Sequence, residues 1–223
     1  MTVKKLVLIS TVISFVLFTI NITADVKPSA RTIVEKVQKY YESINDYQTQ
    51  FVQTTSHKLF KGRYQRAYGK VLFKKGGLMR WEYNRPEKKF FIYDGKTLWI
   101  YEPEVPQIFK GTTDAERLKK ALAFLTGEGK ITNSYNVKKA KAAKYGFSVG
   151  YVLILTPKEA NSPFKHVELY VEKNTFKVIR SVVVDHEGNR NRMDFKNTKT
   201  GINFKPELFQ FTPPPGVKVT QAR

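Results

Sequence analysis

Apolar positions recur at Ile33, Val37, Tyr40, Tyr41 and Ile44, on a segment that is otherwise charged or polar. That spacing of three and four residues predicts a helix with one apolar stripe, packed onto a core. Ser29 or Thr32 can cap its start, Thr32 and Glu35 stand at capping-box spacing, and Asn45-Asp46 ends it. The period then changes to two. Residues 47–55 alternate, with Tyr47, Thr49, Phe51 and Gln53 on one side. Residues 70–73, 78–83, 89–93 and 97–101 are short, aromatic and β-branched, and are separated by Gly76-Gly77, Asn84-Arg85-Pro86 and Asp94-Gly95. Asp94-Gly95, between two apolar runs, is the signature of a two-residue hairpin. Further strands are predicted at 146–156, 166–172, 176–185 and 191–198. Roughly ten strands joined by tight turns, with no helices alternating between them, imply an antiparallel meander rather than βαβ units.

One segment interrupts the meander. Residues 113–125 read as a helix, with Leu118, Ala121, Leu122 and Leu125 on one face, Thr113 or Asp114 as the cap, and Gly127 and Gly129 as the stop. A helix among strands is expected to cover the open side of a curved sheet. Residues 138–144 are rich in Ala and Lys, which favours helix by propensity, but they stand among strands and are assigned to one. Without repeats, low-complexity tracts or an interdomain linker, residues 25–223 read as one domain.

The N-terminus changes the compartment. Lys4 and Lys5 precede an apolar run over residues 6–20, and Asn21-Ile22-Thr23-Ala24 follows. This order is that of a secretory signal peptide over residues 1–24, cleaved near Ala24, and the run falls short of the ~20 residues that a membrane anchor needs. Ile22 is bulkier than is usual three residues before a cut, so the position is placed only near Ala24. The chain is therefore expected in the periplasm. It has no cysteine, which excludes disulfides, a thiolate nucleophile and a Cys-ligated metal. It also leaves no residue after the signal region to carry acyl chains, so the exported protein stays unanchored.

The net charge is +20; Lys4 and Lys5 supply two of those charges, and residues 25–223 keep +18. Such a field suits nucleic acid, anionic lipid headgroups or an acidic protein patch. Export argues against nucleic acid. The cations are spread in runs of two, such as Lys119-Lys120 and Lys138-Lys139, as on a generally solvated basic surface.

Catalytic signatures are missing: there is no Gly-x-Ser-x-Gly elbow, phosphate-binding loop or dinucleotide fingerprint. His166 and Glu168 share a strand face and could act as metal ligands or as an acid–base pair. His186-Glu187 sits at a turn, and these histidines, with His57, read as surface decoration. No cofactor, metal site or enzymatic activity is expected. What stands out is aromatic excess. Phe91 and Tyr93 oppose Phe90 and Ile92, and Trp99 and Tyr101 oppose Leu98 and Ile100, so both faces of these strands are apolar. A half-buried strand is polar on one face. Both faces must then be covered, by extra core in a sandwich or by a concave sheet whose apolar interior hosts a ligand.

The same residues carry a family resemblance. Residues 69–101, GKVLFKKGGLMRWEYNRPEKKFFIYDGKTLWIY, resemble the LolA pattern of an apolar strand, a basic pair, "RW", "P" and a DGKTLW hairpin. LAFLTGEG at 122–129 resembles the end of that family's lid helix, and LILTPK at 153–158 and FQFTPPPGV at 209–217 are similar to two further landmarks. The resemblance covers about residues 30–219 and implies an unclosed antiparallel β-barrel, a half-barrel, with a helical lid over a hydrophobic cavity. It further implies a monomeric periplasmic chaperone that takes acylated lipoproteins from an inner-membrane lipoprotein-releasing ABC transporter to an outer-membrane acceptor, LolB. LolB-like proteins share the fold but are themselves lipoproteins, so the missing cysteine favours the carrier. The expected acyl-chain lining is Phe51, Leu72, Met79, Trp81, Phe91, Trp99, Tyr101, Leu122 and Leu125, although alternation alone does not say which face of a strand is inside. The family's lid-contacting arginine lies in a Lys-Arg-Pro stretch; here Lys74-Lys75-Gly76 puts Lys75 at that position, keeping the charge without the forked geometry. Arg80, beside Trp81, is the alternative lid contact. The competing reading is a periplasmic lipid-sensing or regulatory binding protein on the same fold. An enzyme acting on lipid would require a cluster of carboxylates or a nucleophile that the sequence does not offer.

Overall fold

The computed structural model describes residues 27–221 except 61, 106 and 112–128. The expected signal peptide and the expected helix at 113–125, with Leu122 and Leu125, lie outside the described residues.

Helix α1 (Ala30–Glu42) opens the described chain. Ser29 is its cap, extended in backbone, with its hydroxyl accepting from the Thr32 amide at 3.1 Å. Thr32 therefore lies inside the first turn, and Glu35 pairs with Arg31 at 2.9 Å, so the capping box expected at Thr32 and Glu35 is not formed. The buried stripe is Ile33, Val34, Val37, Gln38 and Tyr41.

The strands follow as β1 (Asp46–Ser56), β2 (Tyr64–Lys74), β3 (Leu78–Arg85), β4 (Lys89–Tyr93), β5 (Leu98–Glu102) and β6 (Gln107–Gly111). After the short helix α2 (Ile131–Ser134) come β7 (Tyr135–Ala140), β8 (Gly150–Pro157), β9 (His166–Glu172), β10 (Val178–Val184), β11 (Arg190–Thr200) and β12 (Lys218–Gln221). Strands β4 and β9 have their expected bounds, whereas β6, β12 and α2 were not foreseen. The strand expected at 138–144 ends at Ala140. Residues Ala142–Tyr145 instead form a 3₁₀ turn that closes on Gly146, at φ 61°, a conformation glycine adopts without Cβ strain. At the Asp94-Gly95 turn the ladder runs to Tyr93 opposite Leu98. The Asp94 carboxylate then accepts from the Lys96 and Thr97 amides at 2.9 and 2.7 Å, so the two-residue turn is Gly95-Lys96, one position later than the sequence suggests.

All twelve strands form one sheet in the order β12-β6-β5-β4-β3-β2-β1-β11-β10-β9-β8-β7. Every pair is antiparallel except β12 on β6. The edge strands β12 and β7 do not meet, so the sheet is an unclosed barrel, as expected. Helix α1 lies on the inner face across the half from β1 to β7. Tyr41 touches Tyr47 of β1 with ring centroids 5.9 Å apart, its hydroxyl accepts from the Val178 amide of β10 at 3.3 Å, and Lys139 of β7 donates to the Pro28 carbonyl just before the helix. One apolar core joins this helix to side chains from both halves of the sheet.

The outer face has two separate covers. Over the β7–β10 half, Phe147 buries against Val152, Tyr170, Val182 and Val184. Over β2 to β6 lies the C-terminal segment, whose Phe209 is fully buried and whose Phe211 contacts Trp99 and Tyr101 with ring centroids 5.5 Å away in each case.

Burial raises the phenols of Tyr41 and Tyr47 above the ordinary value of 10.0, that of Tyr47 well above it. In the unfolded chain these groups ionise near 10, while the fold holds them neutral. Their contribution is complete below pH 10 and lost above it, at about 1.4 kcal/mol per pH unit for each buried phenol. Denaturant unfolding followed from pH 8 to 11.5 is expected to show stability falling beyond pH 10, with a shallower alkaline slope in Tyr47→Phe.

Candidate functional site

In an antiparallel ladder, directly opposed residues share a face. The register therefore assembles the inner face of β1 to β6 row by row. One row is Tyr47, Phe73, Met79, Tyr93 and Leu98; the next is Thr49, Val71, Trp81, Phe91, Ile100 and Phe109; the third is Phe51, Gly69, Tyr83 and Lys89. The rings touch across these rows: Phe51 with Trp81 at 5.2 Å and with Tyr83 at 4.8 Å, Phe73 with Trp81 at 6.2 Å, and Tyr83 with Phe91 at 5.8 Å. Gly69 permits this arrangement, since a Cβ there would stand 2.2 Å from the Glu82 carbonyl oxygen and 2.6 Å from the Phe51 ring.

This aromatic half is less covered than the α1 half. Trp81, Tyr83, Phe91 and Ile100 are half-buried, and Phe109 is exposed. Burial pushes the Tyr83 phenol up to about 12. The buried Thr49 donates to the Lys196 carbonyl at 3.0 Å, and so presents little polarity to the interior. Lys89 marks the rim, with its ammonium 5.2 Å from the Phe91 ring and paired with Glu102. Where α1 meets these rows, Tyr40, Tyr41, Ile44, Tyr47, Phe73 and Trp81 surround a hollow of about 20 Å³, room for one water molecule.

Of the residues expected to line a cavity, Phe51, Met79, Trp81 and Phe91 stand together on this face. Leu72, Trp99 and Tyr101 do not. Leu72 opposes Gln48 and Arg80, Trp99 opposes Ile92 and Lys110, and Tyr101 opposes Phe90 and Ile108, all on the outer face. The physical reason is the second apolar face of these strands, which the C-terminal segment covers. Tyr47, Phe73, Tyr83 and Ile100 belong to the inner rows and were missed. Once Met79 and Trp81 are placed inside, alternation selects Tyr83, and pairing selects the rest.

The two expected lid contacts separate in the same way. Arg80 is on the outer face: it donates to Glu82 at 2.5 Å and to the Leu208 carbonyl at 3.3 Å, clamping the C-terminal segment. Burial alone would raise the Glu82 carboxyl, but hydrogen bonds from Arg80 and Lys70 outweigh it and hold the group below the ordinary range. Lys75 lies in the exposed β2–β3 turn. Its ammonium donates to the Glu42 carbonyl at 3.3 Å, at the C-terminal end of α1, and its amide donates to the Asn45 carbonyl at 2.7 Å. Lys75 thus touches the helix that covers the inner face.

The His166–Glu168 pair is not surface decoration. Glu168 is buried, accepts from Arg190 at 2.8 Å and from the Tyr170 hydroxyl at 3.0 Å, and has His166 3.6 Å away. Its oxygens are engaged in an ion pair on the outer face, away from the aromatic rows.

The sequence profile of the family described as outer membrane lipoprotein carrier protein LolA matches residues 42–212. Relatives named outer-membrane lipoprotein carrier protein include those of Chromobacterium violaceum, 27% identical over 86% of this chain and 89% of that one, and of Nitrosomonas europaea, 26% identical over 93% and 95%. A conserved protein of Thermus thermophilus of solved structure superposes with a TM-score of 0.54 at 15% identity, covering 86% of this chain and 99% of that one, which shows a shared fold. With its profile matched over most of its length and its unclosed twelve-stranded sheet, the chain belongs to the outer membrane lipoprotein carrier protein LolA family.

Proposed function

We propose that this protein is a periplasmic, non-enzymatic chaperone that carries acylated lipoproteins by sheltering their acyl chains against the inner face of β1 to β6. One observation carries the reading: the aromatic rows from Phe51 to Phe109 continue beyond the part of the sheet that α1 covers, and they present half-buried rings without a buried charge among them. An acyl chain gains about 0.8 kcal/mol for each CH₂ withdrawn from water, so a lipid anchor needs such a surface throughout its transit. Aromatic and Met side chains supply area without demanding one ligand shape, which suits a carrier that must also release. Residues 25–223 act as one carrier domain after removal of the signal peptide. The lipoproteins come from an inner-membrane ABC transporter and pass to an outer-membrane acceptor of the LolB type.

Cargo that reaches beneath α1 requires movement of the helix. Pockets for ligands of this size run to ~300–1,000 Å³, whereas the hollow beneath α1 holds about 20 Å³. Helix α1 must shift, and the Lys75 bond to the Glu42 carbonyl restrains it in the closed position.

Native mass spectrometry of the protein recovered from periplasm is expected to show a bound acylated lipoprotein that moves to an acceptor. An empty protein held in a tight complex with a non-lipidated partner would instead favour the regulatory reading. Trp81→Ala is expected to weaken binding of a fluorescent acyl probe by roughly tenfold, in line with the burial of one large aromatic side chain, while Trp99→Ala leaves it unchanged. Equal effects of the two variants would remove the inner face from the site. Lys75→Ala is expected to speed both loading and release in stopped-flow mixing by about two- to fivefold, the worth of one exposed bond at a helix C-terminus. Unchanged rates would reduce Lys75 to a turn residue.

A further inference from the structure

The β1–β2 hairpin bears a feature that acyl-chain shelter does not use. Its strands are each 11 residues long. Strand β3 leaves β2 at Tyr68, opposite Arg85, so Tyr64 to Ala67 pair with β1 alone and the hairpin stands beyond its neighbour on that side. Its tip presents Leu59 at 89% exposure, with Phe60 and Tyr64 at 57% each. The tip is ordered by its own backbone: the Phe60 amide donates to the His57 carbonyl at 3.2 Å and the Arg63 amide to the Phe60 carbonyl at 3.0 Å. It is braced from the other side, where the Lys58 amide donates to the Asn189 side chain at 3.0 Å.

The hairpin itself carries charge of one sign. From Tyr47 to Trp81 the sequence contains no Asp or Glu, while Lys58, Arg63 and Arg66 lie in or beside the tip. The Arg66 guanidinium sits 4.8 Å from the Tyr64 ring, so a cation and an aromatic ring are presented together. The neighbouring β10–β11 turn contributes Asp185 and Glu187. The Asp185 carboxylate is occupied by the Asn189 amide and side chain at 2.7 Å each, which leaves Glu187 exposed.

We propose that the β1–β2 tip is a docking foot for an anionic phospholipid bilayer: Leu59 and Phe60 enter the interface while Lys58, Arg63 and Arg66 meet the lipid phosphates. An apolar point ringed by exposed cations matches the layering of a membrane surface, where apolar groups sit below the headgroups and Lys and Arg pair with anionic lipids. Tyr64 fits the headgroup level, where aromatic side chains with a polar tip concentrate. The foot lies at the end of β1 remote from Lys75 and the C-terminus of α1, so docking leaves the closing helix free to move. The attachment is meant to be transient, since so few apolar residues hold a protein only weakly at an interface.

The test uses cargo-free protein, exported and processed, with vesicles of phosphatidylglycerol and phosphatidylethanolamine compared with phosphatidylcholine alone. Because the chain has no cysteine, Leu59→Cys carries an environment-sensitive fluorophore at the tip only. Co-sedimentation with anionic vesicles, a blue shift of the label, and loss of both at high salt are the expected results. Lys58→Ala and Arg63→Ala are each expected to weaken partitioning by about fivefold, and Leu59→Asp with Phe60→Asp by more than about tenfold. Absence of anionic-vesicle binding, binding that the aspartate pair leaves unchanged, or equal binding to phosphatidylcholine overturns the proposal. Acyl-probe binding measured on the same variants is expected to stay at the parent level. Loss of probe binding by Trp81→Ala with vesicle docking intact, or the reverse in the tip variants, tells a failed carrier site from a failed foot.

Discussion

Strands β4 and β5 are apolar on both faces, and neither face can be left to water. Burying one large apolar side chain is worth about 1.5–3 kcal/mol, so this requirement governs the rest of the architecture. It forces two covers onto one sheet. The inner face takes α1 from the N-terminal side of the chain over part of its width, and the rings beyond the helix stay half-buried. The outer face takes residues from the far C-terminal side, with Phe209 fully buried and Phe211 set against Trp99 and Tyr101. The return of the chain continues into β12, which adds to β6 as the parallel pair.

The two covers meet at Asp46. This buried residue follows α1 and opens β1. Its carboxylate accepts from the Ile202 amide at 2.7 Å and the Phe204 amide at 3.0 Å, and its own carbonyl accepts from the Gly201 amide at 3.3 Å. Hydrogen bonds to an ionised acceptor are roughly twice as strong as neutral ones. A residue that reads in sequence as a helix stop thus also fixes where the C-terminal segment turns onto the outer face. Nothing in its local sequence could signal this, because its partners lie more than 150 residues away.

Much of the fold was legible because its signals are local. The stripe on α1, the alternation in β1 and the turn glycines between β2 and β5 each act within a few residues. What escaped was non-local. Strand β6 is five residues long and β12 four, and each is defined by the other across the sheet edge. The face assignment failed for the same reason. Trp99 and Ile100 are equally good inner residues by alternation, and only the pairing of Ile100 with Phe91, beside Trp81, decides between them. The aromatic runs did announce that two faces needed covering. The phenylalanines of the FQFTPPP stretch were available as that second cover, had they been read as packing residues rather than as a landmark.

The covers differ in how firmly they are held, and that difference selects the face that can open. The outer cover is fastened through charge: the Asp46 carboxylate, and Arg80, which grips the Leu208 carbonyl while paired with Glu82. The inner cover is fastened by neutral bonds at 3.2 to 3.3 Å, between Gln38 and the Ile131 amide and between Tyr41 and the Val178 amide, and by two exposed lysines, Lys75 on the Glu42 carbonyl and Lys139 on the Pro28 carbonyl. Bonds to charged groups contribute about 1.5–3 kcal/mol against 0.5–1.5 for neutral pairs, and an exposed ammonium is screened by solvent. The apolar stripe of α1 also rests beside rings that remain half-buried. Displacing α1 exchanges one apolar contact for another wherever an acyl chain takes its place, whereas displacing the C-terminal segment would expose Phe209 and strip two amides from a buried carboxylate. On the proposed carrier reading, the inner face is therefore the one that changes occupant.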